Sequence, residues 1–181
     1  MTVQKENYPK QGFTLIELLI VIAILGTLAV VILVALNPIQ QLARTRDAGR
    51  LSAVAQIGHA VEAYAVSHDG DYPAESTTWM TDLKTAGEIA TVPSSIAYTT
   101  NVDPCDGSGV QNDFCYDYDS LDGHAIVYSR LESDSNNSKC TNAAAPDAYA
   151  VYSTVDGRGG IVCRATGSEP VTDDGGQTFV N

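Results

Sequence analysis

From Phe13 to Leu36 the chain is apolar except at Thr14, Glu17, Gly26 and Thr27. As a helix this run is long enough to cross a hydrocarbon core of about 30 Å. A cleaved secretory signal has a shorter apolar region with small residues after it. Here the run is too long for that, so the apolar segment is expected to stay in the mature chain. Asn37-Pro38 then interrupts it. Proline lacks a backbone donor and biases the preceding residue away from helix, which predicts a kink at Pro38. Beyond it Ile39, Leu42, Leu51, Val54, Ile57, Val61 and Tyr64 recur largely at three- or four-residue steps. That period is the apolar face of an amphipathic helix. Glycine and proline in His68-Asp69-Gly70-Asp71-Tyr72-Pro73 mark its end. The expectation is one long helix over 13–68, apolar over 13–36 and amphipathic over 37–68.

The period changes further on. Residues 69–112 read as a loop region, with a short helix around Trp79, Met80 and Leu83 packing on the long one. Phe114–Asp119 and His124–Glu132 alternate as strands around a turn at 120–123, and Ala148–Thr154 and Ile161–Arg164 around a turn at 156–160. Two hairpins predict a four-stranded antiparallel sheet over 113–165, whose apolar face packs on the helix near Leu51–Tyr64. The fold class is α+β. The polar, acidic tail 166–181 is expected to be mobile.

Charge narrows the chemistry. The formal net charge is −12 over 181 residues. A phosphate-binding groove needs clustered Lys and Arg, so no specific nucleic-acid partner is expected. Arg44, Arg46 and Arg50 form a small basic cluster, read as a solvated or lipid-facing stripe, with pairing to a neighbouring subunit's acids as the alternative. Glu17 stands out more. A carboxylate inside a membrane-length helix costs roughly 2.5–3.5 kcal/mol on insertion scales. Cleavage after Gly12 would create an ammonium on Phe13, one helical turn from Glu17, and a pair of opposite charges offsets the burial cost of each. The plainer alternative is an acid at a helix start, reaching the headgroups and favoured by the macrodipole.

Cys105, Cys115, Cys140 and Cys163 are the chain's four cysteines. Outside the cytoplasm they read as two disulfides, with three connectivities open. The simplest keeps neighbours together, Cys105–Cys115 and Cys140–Cys163. Asp103, Asp106, Asp113, Asp117, Asp119 and Asp122 crowd one region. Asp117, Asp119 and Asp122 are the candidate calcium ligands, although Asp117-x-Asp119-x-x-Asp122-Gly123 misses EF-hand spacing. A solvated acidic turn is the competing reading. Calcium is the one cofactor these residues suggest. His59, His68 and His124 are scattered, and no nucleophile elbow, zinc-protease motif or phosphate loop occurs, so the chain is not expected to be an enzyme.

The stretch Gly12-Phe13-Thr14-Leu15-Ile16-Glu17 closely resembles the processing site of type IV prepilins and the related type II secretion pseudopilins. Asp69-Gly70-Asp71-Tyr72-Pro73 also resembles the end of the first helix in that family. The resemblance implies that residues 1–12 are a leader, that Gly12 is the processing residue, that Phe13 becomes the N-methylated N-terminus, and that Glu17 is the assembly acid. It implies a disulfide-closed loop towards the C-terminus. It also implies partners: a prepilin peptidase, an inner-membrane platform protein with an assembly ATPase, the lipid bilayer before assembly, and further copies of the chain. The flanking charges slightly favour the opposite orientation; the resemblance places the N-terminus in the cytoplasm and the domain outside. The destination is an extracellular pilus or a periplasmic pseudopilus. A membrane-anchored extracytoplasmic binding module is the alternative from another class.

Overall fold

A computed structural model of the chain describes residues 12–99, 104–105, 109–172 and 176–180. The leader, apart from Gly12, lies outside the described residues, as do Asp103 and Asp106. The chain divides into two units, Met1–Pro38 and Ile39–Asn181.

The first unit contains helix α1, Leu15–Leu36, none of whose residues is buried. Thr14, extended at φ −81° and ψ 152°, is its N-cap. The segment Leu15–Ser67 contains a window of mean hydropathy 3.2, none of it buried, long and apolar enough by length and composition to cross a membrane. Helix α1 ends where Asn37 turns left-handed, φ 40° and ψ 74°. The expected single helix over 13–68 is therefore two. The break sits at Asn37, and Pro38 opens helix α2, Pro38–Ser67. Proline clashes with a helical predecessor but fits the first helical turn, and asparagine tolerates the left-handed region better than most residues.

The second unit is α+β. Helix α2 stops where Asp69 (φ 57°) and Gly70 (φ 97°) turn left-handed and Gly70 N donates to Ala65 O at 2.8 Å, the glycine-assisted termination such a sequence supports. Helix α3, Trp79–Ala86, buries Trp79, Met80 and Leu83 completely. The strands are β1 Val110–Gln111, β2 Phe114–Asp119, β3 His124–Arg130, β4 Asp147–Ser153, β5 Arg158–Arg164 and β6 Phe179–Val180, with a short helix α4, Asp134–Asn137, before β4. They form one antiparallel sheet in the order β1-β2-β3-β4-β5-β6. Six strands replace the expected four. The added pairs are short and sit at the edges, where too few residues alternate for the period to show.

Both faces of the sheet are covered. On one face Val54, Ile57 and Val61 of α2 and Trp79, Met80 and Leu83 of α3 meet Phe114, Tyr116, Val127, Ala150 and Tyr152. On the other, Cys115, Ile126, Tyr128, Tyr149, Val151 and Val162 form a second cluster, against which Phe179 packs. The tail expected to be mobile thus supplies β6 and part of this outer cover. Phe179 and Val180 pair with Val162 and Ile161.

Disulfides Cys105–Cys115 and Cys140–Cys163 join Cα atoms 5.9 and 5.5 Å apart. The second ties the segment after α4 to β5 across 23 residues of sequence. Replacing both Cys140 and Cys163 by serine is expected to lower stability by about 3 kcal/mol, from the loop entropy returned to the unfolded chain. A lower urea midpoint, with a slope raised by the more expanded unfolded chain, checks this.

Candidate functional site

The N-terminal site is built on the start of α1. Thr14 Oγ1 accepts from Glu17 N at 3.3 Å. In return Glu17 Oε2 accepts from Thr14 N at 2.8 Å and from Thr14 Oγ1 at 2.6 Å. This reciprocal capping box satisfies donors that a helix start otherwise leaves open. It also fixes the Glu17 carboxylate at the helix's first turn, one turn from the Phe13 backbone. Gly12 and Phe13 precede the cap in non-helical conformation, and Phe13 is 90 % exposed. An exposed, non-helical stretch before a capped helix is accessible to a protease. The sequence reading weighed Glu17 for its charge and missed its role as a cap. The signal was Thr14 standing three residues before it.

A second constellation sits on α2. The basic cluster expected to form a solvated or lipid-facing stripe does so only at Arg44, which is exposed. Arg50 is 1 % exposed and Asp47 0 %. The Arg50 guanidinium donates to Asp47 Oδ1 at 2.9 Å, to Glu132 Oε1 at 3.2 Å, and to the carbonyls of Ile96 and Ala97 at 2.8 and 3.2 Å. It lies over the Tyr98 ring at 3.8 Å. Arg46 Nε donates to Glu132 Oε1 at 2.5 Å, and a second Arg46 nitrogen donates to Thr99 Oγ1. Asp47 also accepts from the backbone of Glu132 and Ser133 and from Asn136 Nδ2. Buried charges persist only when paired and hydrogen-bonded. This network therefore binds the 96–99 loop and the end of β3 to α2 at fixed positions.

Burial would by itself raise the Glu132 carboxyl. Hydrogen bonds from Arg46, the Thr99 backbone, Arg50 and the Thr99 hydroxyl outweigh it and hold the group down at about 2. A carboxyl lowered on folding stabilises the native state above its unfolded value, and that contribution is lost as pH falls through the folded value. From an ordinary value of 4.5 to about 2, the loss amounts to roughly 3 kcal/mol. Thermal unfolding followed between pH 5 and pH 2 (an interval of about 3 units, set by that shift) is expected to show it, and Glu132→Gln is expected to remove that component of the acid sensitivity.

The acidic region shows other uses for its carboxylates. Asp117 Oδ2 accepts from Thr172 N and Oγ1 at 2.9 and 3.2 Å. Asp119 Oδ1 accepts from Leu121 N at 2.7 Å, closing the β2–β3 turn. Asp113 accepts from Ser95 Oγ, and Asp122 is exposed in the turn. Among the described residues no group of three or more His, Cys, Asp or Glu stands close enough to share a metal ion. His59 lies beside Tyr152, whose hydroxyl donates to Glu62 Oε2 at 2.8 Å. His68 stacks on Tyr64 at the end of α2.

The chain thus carries an exposed Phe13 just before a capped helix that is long and apolar enough to cross a membrane, and a disulfide-tied α+β domain. The family model described as the prokaryotic N-terminal methylation motif matches residues 8–33. The match supports a type IV pilin-like or pseudopilin subunit, and it indicates a structural role rather than an enzymatic one. It implies processing by a prepilin peptidase and assembly into pili or pseudopili. The apolar helix fits membrane anchoring before assembly. No curated protein and no solved structure matches the chain.

Proposed function

We propose that the chain is a type IV pilin. It is cut after Gly12, N-methylated on Phe13, and polymerised into an extracellular helical filament with the apolar helices at its core. The observation that carries this reading is the Thr14–Glu17 cap beneath an exposed Phe13 in a matched methylation motif. An unpaired carboxylate in an apolar core is expensive, and the ammonium of Phe13, on the same or a neighbouring copy, is the partner that chemistry supplies. Both bonds from Thr14 end on Oε2, so Oε1 is the oxygen that ammonium would take.

The experiment isolates filaments sheared from cells and reads their N-termini by mass spectrometry. Methylated Phe13 in abundant fibres is the expected result; an uncut anchor retained in the membrane overturns it. Glu17→Gln keeps a capping side chain but loses the charge. It is expected to be cut at the wild-type rate while filament yield falls at least about tenfold, the equivalent of about 1.4 kcal/mol. A yield equal to wild type removes the assembly role of the charge. Fibres confined to the periplasm would favour the pseudopilin reading, which Asp69-Gly70-Asp71-Tyr72-Pro73 and the acidic loops also support.

A further inference from the structure

Gly159 leaves a gap on the helix-side face of the sheet. Strand residues alternate between faces, so the step of two that carries Ile161 into the helix-side core puts Gly159 on the same face. A Cβ there would stand 3.4 Å from Tyr152 Cδ2 and 3.7 Å from Ala55 Cβ, ordinary contact distances that the glycine leaves unfilled. Between α2 and the start of β5 this opens a groove of about 380 Å³. Leu51, Ala55 and His59 line it from the helix, and Tyr152, Gly157 and Gly159 from the hairpin. Arg158, which is exposed, stands at its rim. The neighbouring acids are held within the chain: Glu62 accepts from the Tyr152 hydroxyl, and Asp156 from Gln177 N at 2.8 Å. The groove is thus an apolar cleft with a cation at its edge, on a chain whose formal charge is −12.

The β2–β3 turn, at the same end of the sheet as the β4–β5 turn, carries the complement. Leu121 at its tip is 93 % exposed, the most exposed large apolar side chain of the second unit among the described residues. The turn closes without that side chain. Gly123 N donates to Asp119 O at 2.9 Å, and Leu121 N donates to Asp119 Oδ1 at 2.7 Å. Turn positions favour glycine and small polar residues, so a leucine here is not explained by the backbone. Asp119 and Asp122 flank it in the sequence. The chain therefore offers an apolar knob between carboxylates on one side and an apolar groove beside a guanidinium on another.

We propose that Leu121 of one copy seats in the Ala55–Gly159 groove of a second copy, with Asp122 facing Arg158 across the contact. Knob and groove are different surfaces of the same chain, so the contact is heterologous and each copy joins two neighbours. Opposite charges at the rim fix its register and steer the approach of domains that otherwise repel one another. The contact rests on the assembly of copies, in a pilus or a pseudopilus alike.

A photoreactive phenylalanine analogue in place of Leu121, in whole cells making the full chain, tests it. Cross-linked multimers are separated on denaturing gels and their peptides mapped by mass spectrometry. The expected partners are residues 51–59 or 157–160 of another copy. Arg158→Glu is expected to lower the yield of that cross-link at least about tenfold, and Asp122→Arg to do the same, while the two together restore it to within about twofold. Losses that the pair does not restore overturn the proposal. Fibres carrying methylated Phe13 but no cross-link to the groove overturn the contact and leave the pilin reading standing. The cross-link in cells without surface fibres overturns the pilin reading and keeps the contact.

Discussion

Replacing Arg50 by alanine is expected to lower the stability of the folded domain by about 3–5 kcal/mol, the cost of leaving the buried Asp47 carboxylate without its cation. The side chain satisfies two acids at once. Asp47 is fully buried and Glu132 is 6 % exposed at its side chain. Among the described residues Arg50 is the cation paired with Asp47, while Glu132 is also held by Arg46. The same change also strips the carbonyls of Ile96 and Ala97 of a donor and removes the cation from the Tyr98 ring. Chemical denaturation of Arg50→Ala against wild type measures the loss. Arg44→Ala, at an exposed position on the same helix, serves as the control and is expected to stay within about 0.5 kcal/mol. Combining Arg50→Ala with Glu132→Gln should cost less than the sum of the two, because both changes remove the same Arg50–Glu132 contact. Full additivity would mean that the two residues do not interact in solution.

The second large effect is expected at Gly58. This glycine brings α2 against β4 so closely that an added Cβ would stand 2.2 Å from Cγ of Tyr152 and 2.7 Å from its Cβ. The Tyr152 ring has no room to retreat. It is 1 % exposed, it sits on β4 paired with both β3 and β5, and its hydroxyl is held by Glu62 of α2 itself. Alanine gains at most about 1 kcal/mol of helix propensity over glycine. Forcing helix and strand apart costs more, and the expected net loss from Gly58→Ala is about 3 kcal/mol, the upper end for an overfilled core. Thermal unfolding of the variant reads it directly. Gly49→Ala on the same helix meets only the Ile96 Cδ1 methyl at 3.3 Å, a flexible tip that can give way, and a much smaller change is expected there. Equal losses at the two positions would contradict the packing seen around Tyr152.

These two sites show where the sequence was readable and where it was not. Val54, Ile57 and Val61 declare the buried stripe of α2 through spacing alone, because a helix facing one sheet leaves a regular period. Trp79, Met80 and Leu83 do the same for α3. Glu17 was visible because a charge inside an apolar run is conspicuous. Arg50 was not, because its partner Glu132 lies 82 positions away and no local pattern records a contact across that distance. An arginine bound for the interior looks, in the chain, like Arg44 beside it. Which face of the sheet each tyrosine takes was illegible for another reason. Tyr116 and Tyr152 belong to the helix-side cluster, Tyr128 and Tyr149 to the outer one. A sheet buried on both faces loses the alternation that would assign its residues, and the partner covering the second face was a polar tail whose composition carried no hydrophobic signal. Phe179 and Val180 were too few to make a period.

The inward use of arginine also decides what the outside of the domain is like. Arg46 and Arg50 are committed to acids on the chain, Arg130 pairs with Asp147 at 2.9 Å, Arg158 lies over the Phe179 ring and Arg164 donates to Gln177. Exposed cations among the described residues come down to Arg44, Lys84, Lys139 and Arg158, against a chain whose formal charge is −12. The surface is thus a nearly single-signed anionic coat. Copies approaching side by side repel over about a Debye length, roughly 30 Å in 10 mM salt and 8 Å at physiological strength. Ionic strength and multivalent cations are expected to set how closely such coats can approach.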